Sequence, residues 1–463
     1  MVTKDLKLGD KSLLMANIKK SPRNLAVTVL DRIINKQAYS NLELNQVIQQ
    51  NELSVANKHL LTNLVYGTLQ HRLTLENWLK SFVKREPTPW VKELLLITLY
   101  QYHYLERIPD FAATNEAIEI TKLRGRGNQG LRKFVTGVLH AVLRSDWSDL
   151  TSIKDPVEQL SLRASLPLWL TQKLVEENGL VEVQKIGKAI NEPARLSIRV
   201  NRAKGTIAQI TAQLASEGIK TIPSQVAEDG LIVTEGNLLA SQAFHAGLVT
   251  VQDESAMLAA EAMAKAINLK TANLVLDACS APGGKTGQLA AQVEKGKVVA
   301  LDIHQHKVNL INKNMERLGL GSRVIAKQND ARDLTLLADQ ALDAALVDAP
   351  CSGMGLLRRK PEIRYQKQFS DSQQLHKIQT TILSAVAPKI KKGGIIIYST
   401  CTILNEENNE TVAAFLATHP NFALEKTQTA RAIKTDRATK TLTILPSDYG
   451  SDGFFIATLR RKN

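Results

Sequence analysis

The sequence predicts a multi-domain chain: an all-α domain over 1–148, a small α+β segment over 149–238 and an α/β domain over 239–463. Three observations predict it. A length of 463 residues suits two to four domains at roughly 150 residues each. In the first third, apolar residues recur every three to four positions, as on helices. From about residue 240, short apolar runs alternate with helical patterns, the rhythm of a parallel sheet covered on both faces.

In RNLAVTVLDRIINK (23–36), Leu25, Val29 and Ile33 keep helical spacing beside Leu30 and Ile34. VKELLLITLYQYHYLERI (91–108) is apolar through its centre and reads as the buried helix of a bundle. Two further helices are expected at 115–123 and 133–143. Between them KLRGRGNQGLRK (122–133) has basic residues, glycines and no acid, which reads as a basic loop. The middle segment reads as a strand in 193–205, a helix over 206–218 and a strand over 230–236. Strands follow at 272–279, 298–303, 323–330, 344–350 and 394–401, with helices at 285–293 and 307–319.

The net charge is +14. Residues 1–145 hold 21 Lys and Arg against 12 Asp and Glu, so +9 of it lies in the first third. Such an excess attracts a polyanion through counterion release and points to nucleic acid. Arg124, Arg126, Arg132 and Lys133 are the candidate contacts there. No apolar run approaches the roughly 18 residues of a membrane span. The first twenty residues include Lys4, Asp5, Lys7, Asp10, Lys11, Lys19 and Lys20 and have no apolar core, so no secretory leader is expected. Three cysteines cannot build a disulfide framework, and a cytoplasmic location is expected.

In a doubly wound sheet, ligands bind at the carboxyl ends of the strands, near the switch in strand order. The first such loop is DACSAPGGKTG (277–287), where Gly283 and Gly284 open a helix. GGKT invites a phosphate-loop reading, but that motif needs a glycine where Cys279 stands. A nucleoside cofactor fits better. Asp302 ends the second strand 19 residues after Gly283, the spacing of a ribose-binding carboxylate. Asp330 and Asp348 end the third and fourth strands, and Asp330 suits the adenine edge. S-adenosylmethionine is one such cofactor; a hydride carrier is the other.

All three cysteines, Cys279, Cys351 and Cys401, stand at carboxyl ends of predicted strands. Their gaps of 72 and 50 residues offer no close pair for zinc. A small buried hydrophobe is the ordinary reading for Cys279, but it suits Cys351 and Cys401 less well. A thiolate here is a nucleophile. C5 of a pyrimidine takes a methyl group only after such a nucleophile has added at C6. Asp348, three residues before Cys351, is placed to stabilise charge at N3. One thiol attacks and the other assists release; the residues alone do not rank them.

DACSAPGGKTG, LDIHQHKV, LVDAPCSGMGLLRRKPEIRY and IIIYSTCTILNEEN resemble, in order, the motifs of the NOL/NOP/Sun family of RNA cytosine-5 methyltransferases. LLLITLYQYHYLERIPDFAATNEAIEITK and KFVTGVLHAVLR resemble the NusB-like helical domain. Together they resemble the bacterial enzymes that methylate small-subunit ribosomal RNA, and the resemblance implies a NusB-like domain before a Rossmann-like methyltransferase domain. It implies S-adenosylmethionine held by Cys279, Ser280, Ala281, Pro282, Gly283, Gly284, Lys285, Asp302, Asp330 and Asp348. It makes Cys401 the nucleophile and gives Cys351 the release step. Ser280 stands where alanine is usual, and Asn329 where glycine is usual. Arg358, Arg359, Lys360 and Arg364 follow the Cys351 loop and are expected to meet phosphates. The expected substrate is a cytosine in unassembled or early small-subunit RNA, because the base must leave its stack. A monomer is the expected working form.

Overall fold

The computed structural model describes residues 17–36 and 38–463. The charges read from Lys4 to Lys11 lie outside the described residues. The chain divides into two compact units. One runs to Asn191 and also takes in Lys360–Gln366; the other holds Glu192–Arg359 and Lys367–Asn463.

The first unit is helical. Its long apolar run forms the helix Pro89–Tyr104, with Pro89 at the first turn, where a missing N–H leaves no bond unmade. Val91, Leu94, Leu95, Leu96, Ile97 and Leu99 are buried from it. Pro22–Lys36, Val55–Gln70, Asp110–Arg124 and Gln129–Val142 add to the same core. Arg72 and Glu93 are both buried and meet through two bonds of 2.8 and 2.7 Å, the geometry that makes a buried pair tolerable.

Residues 149–191 differ from the expected middle segment. They form the helices Pro156–Ala164, Leu168–Asn178 and Leu180–Ala189, and they belong to the helical unit. Hydrogen bonds hold them there. Thr74 Oγ1 donates to Leu162 O at 2.6 Å, and Ser165 Oγ accepts from Leu73 N at 2.9 Å. The segment Lys360–Gln366 is fastened into the same unit by Arg364. That side chain is fully buried and donates to Gln70 O, Ala164 O, Ser165 O, Ile190 O and Asn191 Oδ1 at 2.7–3.2 Å. Arg364 is therefore a structural anchor and not the phosphate contact expected of it.

The second unit holds two sheets. The smaller contains β1 (Leu196–Val200), β2 (Lys220–Pro223), β3 (Gly230–Glu235) and β4 (Val249–Val251) in the order β2-β3-β1-β4, all antiparallel. The helix Ile207–Ser216 supplies Ile210 and Leu214 to its core. Since β4 lies past residue 238, the α+β segment runs further than expected.

The larger sheet contains β5 (Leu274–Asp277), β6 (Lys297–Asp302), β7 (Val324–Gln328), β8 (Leu342–Asp348), β9 (Ile390–Thr400), β10 (Phe422–Glu425), β11 (Leu442–Ile444) and β12 (Phe454–Arg461). The order is β10-β12-β9-β8-β5-β6-β7, with β11 also on β12. Strands β5 to β9 are parallel; β10, β11 and β9 each pair antiparallel with β12. Successive residues face opposite layers, as strand geometry requires. Val275, Val298, Ala344, Leu346 and Ile397 enter one core, and Leu276, Val299, Ala345, Val347 and Tyr398 the other. Strand order reverses at β5, which has β6 on one side and β8 on the other. The carboxyl ends of β5 and β8 therefore flank the crevice where such sheets bind ligands.

Candidate active site

The loop after β5 leads into the helix Gly284–Gln292 through Gly283, whose φ of +98° favours glycine. A Cβ there would also stand 3.3 Å from Met315 Cε. The peptide Ala281–Pro282 is cis. No side chain caps the helix, so its first N–H groups face the crevice uncapped by protein. Ser280 is turned inward: its hydroxyl donates to Leu301 O at 2.8 Å and ties the loop to β6. Cys279 packs against the core, as its ordinary reading had it, and burial with the nearby carboxylates pushes its thiol up.

Asp277 ends β5 and was missed in the sequence, although it stands at a strand end like the other three carboxylates. It is fully buried. Its Oδ2 accepts from Thr286 Oγ1 at 2.7 Å, while its Oδ1 has no partner. Burial first, then the negative charge of Asp348, push its pKa up to about 7, against the Thr286 bond and Lys285. Asp348 ends β8. Its Oδ2 accepts from Lys285 Nζ at 2.7 Å and its Oδ1 from Ser399 Oγ at 2.9 Å. Burial works against the Lys285 ammonium, but Asp348 outweighs it and the pKa is raised. Asp302 ends β6, is 9% exposed and spends one oxygen on His304 N at 2.9 Å; the other stands 3.9 Å from Lys307 Nζ. Asp330 follows β7 and is paired with Arg332, which holds its carboxyl below the usual range despite some burial. An uncapped helix start, a glycine at positive φ, an orphaned buried carboxylate oxygen and Asp302 across the crevice together suit a nucleoside with a cationic group.

The loops after β8 and β9 bring the other two cysteines together. Cys351 Sγ and Cys401 Sγ lie 2.9 Å apart, and both thiols are free. The hydrogen bond with Cys401, followed by burial, raises the Cys351 pKa well above the ordinary thiol range. The two loops are stitched to each other at several points. Gly355 N donates to Cys401 O at 2.9 Å, and Ser352 Oγ meets Thr402 Oγ1 at 2.9 Å. A side chain at Gly355 is impossible, because its Cβ would lie 2.0 Å from Gly453 O. Glu407, fully buried, accepts from Ser352 N at 2.9 Å, Ser372 Oγ at 2.9 Å and Gln379 Nε2 at 3.0 Å. Its neighbour Asn408 accepts from Thr400 Oγ1 at 2.5 Å and donates to Thr402 O at 3.1 Å. The NEEN run carried these two residues in the sequence, but without a spacing that marks them.

Several expected phosphate contacts are committed elsewhere. Arg358 is buried, and its guanidinium donates to Gly450 O and to Pro446 O. Arg359 bridges Asp452 at 2.8 Å and Asp253 at 2.7 Å. These two arginines hold the backbone after Cys351 to the segment before β12. Lys360 is half-buried and belongs with the helical unit. Arg124 is also engaged: Nε donates to Asn24 Oδ1 at 2.7 Å, and Nη2 reaches Asn24 O and Thr28 Oγ1. Arg126, Arg132 and Lys133 are exposed, around the start of the helix Gln129–Val142.

Comparison with known proteins agrees with this architecture. The family model described as 16S rRNA methyltransferase RsmB/F matches residues 264–460. The NusB family model matches 20–144, and the ferredoxin-like domain of RsmF/B-like methyltransferases matches 166–238. The chain is 42% identical over 452 residues to the probable ribosomal RNA small subunit methyltransferase B of Bacillus subtilis, covering 96% of this chain and 99% of that one. It is 29% identical to the protein of the same description from Synechocystis, over 95% and 99% of the two chains. Among solved structures, the crystal structure of PH0851 superposes with a TM-score of 0.79 at 22% identity, over 95% of this chain and 99% of that one, which shows a shared fold.

Proposed function

Because the chain belongs to the RsmB/F family of 16S rRNA methyltransferases, we propose that it methylates C5 of a cytosine in 16S ribosomal RNA, with S-adenosylmethionine as donor and a covalent bond from Cys401 Sγ to C6. The observation that carries this reading is the pair of thiols 2.9 Å apart, on the loops that follow β8 and β9. Methylation of a nitrogen or oxygen calls for no thiol, whereas C5 needs a nucleophile at C6 first.

S-adenosylmethionine, when bound, supplies an electrophilic methyl group. The loop from Cys279 through Ser280, Ala281 and Pro282 to Gly283, Gly284 and Lys285 would hold it, with Asp302 on the ribose and Asp330 at the adenine. Asp348 serves N3 of the cytosine, and Lys285 and Ser399 fix its carboxylate in place. While Cys401 is unreacted, the hydrogen bond between the two thiols, then burial, raises the Cys351 pKa. The family resemblance makes Cys401 the attacking group and Cys351 the group that assists release.

The target base must be unstacked to reach this crevice, so unassembled or early small-subunit RNA is the better substrate. Arg126, Arg132 and Lys133 are the exposed candidates for phosphate contact in the helical unit. The chain works as a monomer in the cytoplasm, where its RNA is made. No helix among the described residues is long and apolar enough to cross a membrane.

The test is nucleoside mass spectrometry of 16S RNA incubated with the protein and methyl-labelled S-adenosylmethionine. Labelled 5-methylcytidine is expected, and none with Cys401→Ala. Label at a nitrogen, or undiminished 5-methylcytidine from the variant, rejects the reading.

A further inference from the structure

Glu407 lies six residues past Cys401, yet its carboxylate does not serve its own loop alone. Oε2 accepts from Ser352 N, the amide next to Cys351, and from Gln379 Nε2, which also donates to Pro350 O at 2.9 Å. The residues on both sides of Cys351 are thus bonded to one small network. Oε1 takes Ser372 Oγ, and Tyr398 OH donates to Glu407 O at 2.5 Å, so the network is anchored to a helix and to β9. Glu407 is 0% exposed and makes no hydrogen bond to either thiol; it reaches Cys351 through the Ser352 amide, and its charge adds to the raising of the Cys351 thiol.

We propose that Glu407 is a positioning residue for the release step: by fixing the Ser352 amide it sets where Cys351 Sγ stands against Cys401 Sγ. This rests on the reading of Cys351 given above. In that step Cys351, as thiolate, takes the proton from C5. The C–H electrons become the C5=C6 double bond, the C6–Sγ bond breaks, and Cys401 leaves as thiolate. One thiolate is consumed and one returned. The proton that Cys351 carried beforehand goes to water, which accounts for the proton released when CH3 replaces H. Attack and methyl transfer use Cys401, whose loop has its own ties through Asn408 and Gly355, so Glu407 bears less on them.

The experiment is a rapid-quench single turnover of the full chain with 16S RNA. Methyl transfer and protein–RNA adduct on denaturing gels are followed in parallel, with Cys351→Ala as reference. Loss of a charged hydrogen-bond acceptor makes Glu407→Ala slow release by about tenfold or more, with methyl transfer within about threefold of wild type and adduct accumulating. Glu407→Gln keeps an acceptor for Ser352 N and restores release. Equal slowing of both steps in Glu407→Ala, or adduct from Cys351→Ala and none from Glu407→Ala, overturns the proposal while leaving the role of Cys351 intact. No adduct from either removes both. If Glu407→Ala fails to fold, Gln379→Leu carries the test. It loses the bonds to Pro350 O and Glu407 and is expected to accumulate adduct; a folded Gln379→Leu that releases at the wild-type rate contradicts the proposal.

Discussion

Asp277 ends β5 with its carboxyl fully buried. Its pKa of about 7 lies far above the ordinary range of an aspartate, because burial outweighs the Thr286 bond. The folded state therefore holds a proton that the unfolded chain gives up. The stability this group contributes is full below the unfolded pKa of about 4 and is lost as pH rises through about 7. Asp277→Asn keeps an acceptor for Thr286 and removes the titration. Between pH 5.5 and 8, about the window where this proton is lost, wild type is expected to lose more stability in denaturant unfolding than the Asn variant. Equal losses would mean that Asp277 is ionised in the folded state. Glu261 and Asp452, also near 7, stand in both proteins and cancel from the difference. At this scale residue type and strand-end position were enough to place Asp302, Asp348, Cys351 and Cys401 at the carboxyl ends of strands, where the structure has them. They were not enough for Arg124, Arg358, Arg359 and Arg364. Whether an arginine faces solvent or a buried carbonyl depends on chain segments up to 294 residues away, as with Arg364 and Gln70.

The elements that carry the chemistry were legible because each is a run of β-branched and aliphatic residues ending in a polar one. LVLD, VVALD, LDAALVD and IIIYST became β5, β6, β8 and β9. Of the strands that escaped, β2, β4, β10 and β11 are three or four residues long, too short for a period of two to stand out, while β12, FFIATLRR, went unread although it is eight residues long. The helices at 156–189 were unread because Pro167 and Gly179 divide them into pieces of nine to eleven residues. One element makes a separate prediction. The turn and first part of the helix Gln129–Val142 present Arg126, Arg132 and Lys133 to solvent. If these cations neutralise phosphates, replacing all three by alanine lowers the slope of log affinity against log salt by about 2 in filter binding to 16S RNA. An unchanged slope would show that this element only solubilises the chain.

For the whole molecule, two units share one chain unevenly. The helical unit takes in Lys360–Gln366, a segment that begins nine residues after Cys351. A split at a single boundary does not describe that arrangement, which the linear reading of three consecutive domains had not anticipated. The methyltransferase unit by itself assembles the glycine loop, the four strand-end carboxylates and both thiols, all at one edge of the larger sheet. The proposed chemistry stands or falls on whether a sulfur bonds to the base, and which one. The direct measurement is denaturing electrophoresis of full-length Cys351→Ala, Cys401→Ala and the double variant after reaction with 16S RNA and S-adenosylmethionine. Cys351→Ala is expected to give a protein–RNA band that nuclease removes, and Cys401→Ala and the double variant none. A band from Cys401→Ala and none from Cys351→Ala would reverse the two roles, and no band from any variant with methylation intact would reject thiol catalysis.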